Sequence, residues 1–338
     1  MRASNIVCGV VAVLFMALLA GCAEPVARSA PELDLAADVT SDTMGLPEFV
    51  ATGEPFDPVA DPLMDAEPEP LDLFDADRAM VHVRALADGV GNRPAGSEAE
   101  REAAAYIADQ LVSWGYTPRF EEFPLPNGLT SLNVVAERPG TSDTRFVLGG
   151  HFDTKSPSPG ANDNGTGVGV VLEIARLLSE SDPVATIEFA FFGSEERIDA
   201  DPDHHHYGSR ARVAAMSAQD MQATAGMISV DMIGWGPDFH VRTMRKGPQS
   251  LSDDLLAYAR EREIACTFKL DPGSTGWSDH EAYELAGIPA AWVEWRDDPT
   301  YHTVGDTAAH VRVDRVDVAG ELVWGYVQGL DAERLAGL

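Results

Sequence analysis

Four apolar runs in this chain break off in a histidine or a carboxylate, and that pattern restricts the folds open to it. Phe146–Gly150 leads into His151-Phe152-Asp153 and Thr186–Phe192 into Gly193-Ser194-Glu195-Glu196. Ala225–Val230 leads into Asp231, and Ile288–Trp295 into a loop carrying Tyr301-His302-Thr303. A run that is apolar at nearly every position is buried on both faces, as in a sheet held between helices. Helical periodicity fills the intervals: Asp75–Asp88, Ser97–Trp114, Gly165–Leu178, Ser250–Arg262 and Val316–Leu330. Ser97 followed by Glu100 fits a capping box, and Gly115 a helix stop. Pro118–Phe123, Leu132–Glu137 and Ile264–Leu270 complete the strands. Strands alternating with helices predict an α/β protein with a parallel or mixed sheet covered on both faces. In such sheets, reactive side chains collect where strands end.

Charge excludes other classes. Against 24 Lys+Arg stand 55 Asp+Glu, a formal net charge of −31, so a nucleic-acid partner is not expected. Three cysteines, far apart, cannot staple a mini-fold. Gly165, Gly167 and Gly169 lack the strand-turn context of a dinucleotide loop. Residues 24–77 hold 15 acidic side chains, one basic side chain and 8 prolines, the composition of a disordered tether. Ahead of it, Ile6–Ala20 is an apolar run short of the ~20 residues of a spanning helix, and reads as a secretory signal. Leu19-Ala20-Gly21-Cys22 resembles the lipobox of bacterial lipoproteins. That resemblance implies a lipid anchor at Cys22; the bland reading is a plain signal with an incidental cysteine. The expected organisation is a lipoprotein signal peptide at 1–21, a tether at 22–77 and a catalytic domain at 78–338. The expected location is the cell envelope, lipid-anchored to the outer side of the cytoplasmic membrane or to the outer membrane of a bacterium. Cys8 leaves with the signal, and Cys266 reads as a small buried hydrophobe.

Each strand end has a bland and a chemical reading. Residues i and i+2 of an extended chain point the same way, so Asp153 can sit behind His151 and fix its tautomer. The pair can equally be an ordinary polar contact. Gly160 to Gly167 is a tight turn into an apolar helix, where an Asp or Asn either caps free amides or, as Asp163, projects a carboxylate toward His151. Glu195 and Glu196 repel one another in a dry site unless cations are present. Asp231 and His302 repeat the theme, and imidazole nitrogen with carboxylate oxygen is the donor set zinc takes. Jointly, two histidines and several carboxylates ending hydrophobic strands or opening a helix are not a chance arrangement.

In these segments, with Arg93 to Ser97, Ser278-Asp279-His280 and Ala286 to Ala290, the chain resembles the co-catalytic di-zinc aminopeptidase family over roughly residues 78–335. That family includes bacterial leucyl aminopeptidases, with glutamate carboxypeptidases and glutaminyl cyclases as relatives. The resemblance implies a three-layer α/β/α fold around a mixed, mostly parallel sheet. It implies peptide substrates, cut at the N-terminal residue, and two zinc ions (Zn2+) bridged by Asp163. His151 and Asp231 would complete one zinc, and Glu196 and His302 the other. Glu195 would be the general base, Asp153 would orient His151, and Tyr301 would stabilise the oxyanion. A cis peptide is expected at Asp163–Asn164.

One departure stands out. Tyr207-Gly208-Ser209-Arg210 takes the part of the family's Gly-Leu-x-Gly-Ser, but Arg197–His206 lengthens the connection and carries three consecutive histidines. Consecutive side chains diverge, so the insert is expected to be a solvated loop at the rim, with substrate gating or a weak metal contact as the alternative. His280 is expected behind the site or in the substrate pocket, and Trp235 and Trp277 either line that pocket or pack. His82, His240 and His310 are given structural roles. A glutaminyl cyclase is the nearest alternative, set back because that group works with one zinc; an inactive binding lipoprotein is the other, set back by the presence of Glu195.

Overall fold

The computed structural model describes residues 73–338; the expected signal, Cys22 and nearly all of the tether lie outside the described residues. The expected boundary at 77/78 falls inside the first helix, α1 (Ala76–Arg84), which Asp75 caps through the amides of Asp77 and Arg78. Phe74 is buried too, its ring lying where a Cβ on Gly320 would collide with it. One aromatic side chain is enough to order residues that acidity alone would assign to the tether.

The chain continues through α2 (Glu98–Ser113), β1 (Arg119–Pro124), β2 (Thr130–Arg138), β3 (Arg145–His151), α3 (Thr166–Leu178) and β4 (Thr186–Phe192). Then come α4 (Tyr207–Ala215), α5 (Ala218–Ala223), β5 (Thr224–Val230), β6 (Asp238–Thr243), α6 (Ser250–Glu261) and β7 (Thr267–Leu270). The chain closes with α7 (His280–Leu285), β8 (Ala290–Arg296), α8 (Val313–Gln328) and α9 (Ala332–Gly337). The strands form one sheet in the order β1-β2-β4-β3-β5-β8-β6-β7. The central strands β4, β3, β5 and β8 are parallel, while β2 and β6 flank them antiparallel.

Alternate side chains of these strands enter two separate cores, which makes the architecture three layers. Phe146, Leu148, Phe189, Phe191, Ile228 and Val293 pack in one cluster with α1, α2, α3 and α8. Val147, Ala190, Phe192, Met227 and Ala290 pack on the other face under Val213 of α4 and Tyr283 of α7. The second face tolerates a charge. Glu188, buried within β4, meets Arg212 at 2.6 Å and Arg145 at 2.9 Å. Buried ions persist when paired in this way.

β6 escapes the sequence reading because its polar half is also buried. Arg242 is fully buried, its guanidinium 2.5 Å from Asp271 and 2.6 Å from Glu294. The capping box is half formed. The Ser97 hydroxyl accepts the Glu100 N–H at 3.1 Å. The Glu100 carboxylate turns instead to the Gly96 N–H at 2.7 Å and the Ser131 hydroxyl at 2.6 Å. Cys266 is free and half-buried, its thiol pushed up to about 12 by burial.

Candidate metal centre

The carboxyl ends of the parallel strands open onto one cluster. His151 is the last residue of β3, Glu195 and Glu196 follow β4, Asp231 follows β5, and His302 lies in the loop after β8. Asp163 comes from the turn before α3. Donor atoms of His151, Asp163 and Asp231 lie within 4.8 Å of one another, and so do those of Asp163, Glu196 and His302. Asp163 belongs to both sets. Its Oδ1 is 3.3 Å from His151 Nε2 and its Oδ2 is 3.2 Å from His302 Nε2.

Backbone anchors explain why these side chains converge. The Asn164 carboxamide, not Asp163, does the capping. Its Oδ1 accepts the Gly167 N–H at 2.9 Å while its Nδ2 donates to the Val230 carbonyl at 2.9 Å. Asp163 is thereby left free to face the cluster. A Cβ on Gly167 would collide with that same Val230 carbonyl, so the close approach of α3 to β5 requires glycine. Asn162 accepts the Gly234 N–H and donates to Asp298, each at 2.7 Å, tying the turn to the loops after β5 and β8. The peptide Asp163–Asn164 is cis, as expected. Arg93, fully buried, donates to the carbonyls of Phe152, Leu86, Gly91, Pro159 and Gly160 and so holds the His151 and Asp163 loops together.

Asp153 does more for the glutamates than for His151. Its carboxylate accepts the N–H groups of Glu195 at 2.9 Å and Glu196 at 3.2 Å. His151 Nδ1 bonds the Asp153 backbone carbonyl at 3.2 Å, with the carboxylate at 3.4 Å. Asp153 thus meets His151 through both its backbone and its side chain. Ser278 donates to Asp231 Oδ2 at 2.7 Å, leaving Oδ1 toward His151 Nε2 at 3.7 Å.

The cluster fits cations. Asp163 Oδ2, Glu196 Oε1, Asp231 Oδ1 and His302 Nε2 are all buried without a hydrogen-bond partner. Glu196 Oε1 and His302 Nε2 are only 2.9 Å apart, yet neither has a hydrogen-bond partner. Burial, and then the neighbouring Asp163, push the Glu196 carboxyl up. Burial also pushes up Asp231. Carboxylates crowded in a dry site need positive charge, and imidazole with carboxylate is what zinc prefers.

Other expected residues fall nearby. Tyr301 is 49% exposed, its ring stacked on His302 with centroids 3.6 Å apart. His280 is buried 3.1 Å from Asp271. Trp235 stacks on His310 at 4.0 Å, whereas Trp277 is 46% exposed beside Arg242 and Arg296.

The insert corrects the sequence reading. His204 stays in the outer loop with Asp199, but His205 and His206 are buried, not solvated. His206 Nε2 lies 2.9 Å from Glu195 Oε1. The structure shows why: a Cβ on Gly208, in the first turn of α4, would collide with the Gly193 carbonyl, so the start of α4 packs directly on the turn after β4. Residues just before Gly208 must then lie beside those just after Gly193. Asp306, whose carboxylate accepts the N–H groups of Asn162 and Asp163, was also hidden, because a polar residue in a loop carries no periodicity.

Comparison with known proteins agrees with this geometry. Aminopeptidase YwaD of Bacillus subtilis is 32% identical over 183 residues, 51% of this chain and 38% of that relative. Probable lipoprotein aminopeptidase LpqL of Mycobacterium tuberculosis is 30% identical over 241 residues, 61% of this chain and 46% of that relative. The chain spans about half the length of the curated relatives it matches. Among solved structures, a zinc aminopeptidase from Bacillus subtilis matches with a TM-score of 0.68 at 18% identity, over 78% of this chain and 98% of that one. Tannerella forsythia glutaminyl cyclase matches with a TM-score of 0.66 at 22% identity, over 77% of this chain and all of that one. Likeness at these identities shows a common fold. Residues 133–327, more than half of the sequence and every donor of the cluster, match the model of peptidase family M28, and the chain belongs to that family.

Proposed function

We propose that this protein is a zinc aminopeptidase that removes N-terminal residues from peptides, with Glu195 as its general base. The observation that carries the reading is the pair of donor sets sharing Asp163, with Glu195 at their edge. His151, Asp163 and Asp231 would hold one zinc, and Asp163, Glu196 and His302 a second. Zinc bound there supplies Lewis-acid polarisation of the scissile carbonyl and a lowered pKa for water. Glu195 takes a proton from the attacking water and delivers it to the nitrogen of the leaving amine as the C–N bond breaks. Asp153 keeps the Glu195 backbone fixed, and the Tyr301 hydroxyl, on a ring braced by His302, donates to the developing oxyanion. The surplus of carboxylates favours a substrate with a free α-ammonium group. The relatives' names support the aminopeptidase assignment.

A glutaminyl cyclase is the second reading, favoured by the near-equal TM-scores of 0.66 and 0.68. Zinc quantification with a panel of aminoacyl anilides and an N-terminal glutaminyl peptide separates the two. Two zinc ions per chain and anilide cleavage support the peptidase; one zinc and cyclisation support the transferase. No turnover of either substrate removes both.

We further propose that Cys22 anchors the chain to an envelope membrane by lipid. The similarity to a relative named as a lipoprotein supports this. Among the described residues no helix is long and apolar enough to cross a membrane. The full-length chain should partition into detergent phase and Cys22→Ser into water; equal partitioning would remove the anchor.

A further inference from the structure

Two of the three histidines of the insert, His205 and His206, turn inward, and His206 bears on Glu195. The loop returns to Glu195 by backbone first: His206 N–H donates to the Glu195 carbonyl and Tyr207 N–H to the Ser194 carbonyl, each at 2.8 Å. His206 itself sits at φ +54°, a left-handed conformation that costs a non-glycine residue energy and persists only where its surroundings enforce it. That conformation turns the imidazole inward. The ring is 2% exposed, with Nε2 2.9 Å from Glu195 Oε1 and Nδ1 3.4 Å from Glu281 Oε2. A carboxylate has only lone pairs to offer, so the imidazole must donate to Glu195.

Glu281 is held in turn. Its Oε1 accepts from Arg210 and its Oε2 from the Gly276 N–H, both at 2.5 Å. Arg210 Nη2 also lies 3.3 Å from His205 Nε2. His205, His206 and Glu281 are close enough to hold a third cation. Arg210 already engages His205 and Glu281, and His206 Nδ1 faces Glu281 Oε2 at 3.4 Å without a hydrogen bond, so the group is a braced series of polar contacts. The series runs Arg210–Glu281–His206–Glu195.

We propose that His206 is a positioning residue for Glu195. It engages Oε1, so that Oε2 alone, 3.8 Å from His151 Nε2, faces the donor cluster and carries the proton transfer. This rests on the reading of Glu195 as general base. A free carboxylate would rotate between two faces; one fixed oxygen leaves the other in a reactive orientation, and small misplacements of a catalytic group cost much rate.

The test uses the zinc-loaded full chain and an aminoacyl anilide. His206→Leu should lower kcat about ten- to a hundred-fold, with KM and zinc content unchanged. His206→Gln, whose carboxamide keeps a donor toward Glu195, should recover most of that loss. Glu281→Gln should lower kcat less, again at constant KM. Full kcat in His206→Leu overturns the proposal. So does a loss that shifts KM and zinc content with kcat and that His206→Gln does not relieve. If His206→Leu does not fold, Glu281→Gln decides: lowered kcat at constant KM supports the proposal, and unchanged kcat overturns it. Glu195→Gln separates this from the underlying reading. Retained turnover there sinks the general base itself; a dead Glu195→Gln beside a fully active His206→Leu sinks only the role of His206.

Discussion

Asp306 accepts the backbone N–H of Asp163 at 3.1 Å across 143 residues of sequence. The same carboxylate accepts the Asn162 N–H at 2.7 Å, so one side chain from the loop after β8 shapes the turn that presents the shared donor. Asp306→Ala leaves both amides buried and unpaired. Each such loss costs about 1–3 kcal/mol. The variant should melt lower and release zinc to a mild chelator faster than the parent. Unchanged melting and unchanged zinc retention would show that Asp306 is dispensable for the turn.

Glu195→Gln should keep its zinc, because Glu195 is in neither donor set, and lose about 100- to 10,000-fold in turnover. Anilide hydrolysis and metal analysis on one preparation check both halves. A variant that turns over normally would require another base.

Removing zinc should do more than stop catalysis. The two donor sets concentrate buried carboxylates that repel one another once the cations leave. Dialysis against a strong chelator should lower the melting temperature by several degrees, and zinc should restore it in a concentration-dependent way. A melting temperature indifferent to zinc would mean that the sets hold no metal in solution.

Glu100, which is in neither donor set, gives the fold a pH dependence of its own. Burial, and then Asp153, raise its carboxyl from 4.5 to about 8 in the folded chain. The folded form therefore keeps a proton that the unfolded form has released. Its contribution to stability is full below about 4.5 and falls as pH rises toward 8, by at most about 1.4 kcal/mol per pH unit. Glu100→Gln can still accept from the Gly96 N–H and donate to the Ser131 hydroxyl. Its urea midpoint, compared with the parent, should rise more at pH 8 than at pH 5; an equal offset at both would rule out Glu100 as the source.

What the sequence displays is set by periodicity and by chemical type. The buried strands 186–192 and 224–230 are legible because sheets covered on both faces leave no polar alternation. The strand at 238–243 is not, because Arg242 is buried by pairing with Asp271 and Glu294, partners distant in sequence. In the centre, His151, Glu196 and Asp231 are legible as metal-binding types at strand ends, Asp163 as one opening a helix, and His302 as one in the loop after a strand. Asp306 and Arg93 are not, since their work is to bond backbone groups of remote loops. His206 is the instructive case: three adjacent histidines suggest a solvent-washed loop, while the contact of Gly208, at the start of α4, with the Gly193 turn draws His205 and His206 into the interior.

The five donors differ in how far they are shielded. The His302 side chain is 29% accessible, against 1% for His151 and 4% for Asp231. On the proposed two-zinc reading, an ion held by His302 would escape by one ring swinging outward, whereas one held by His151 and Asp231 would be sealed in by strand termini. The two positions should therefore empty in sequence, and stepwise depletion followed by cobalt would yield a mixed-metal enzyme coloured at a single seat.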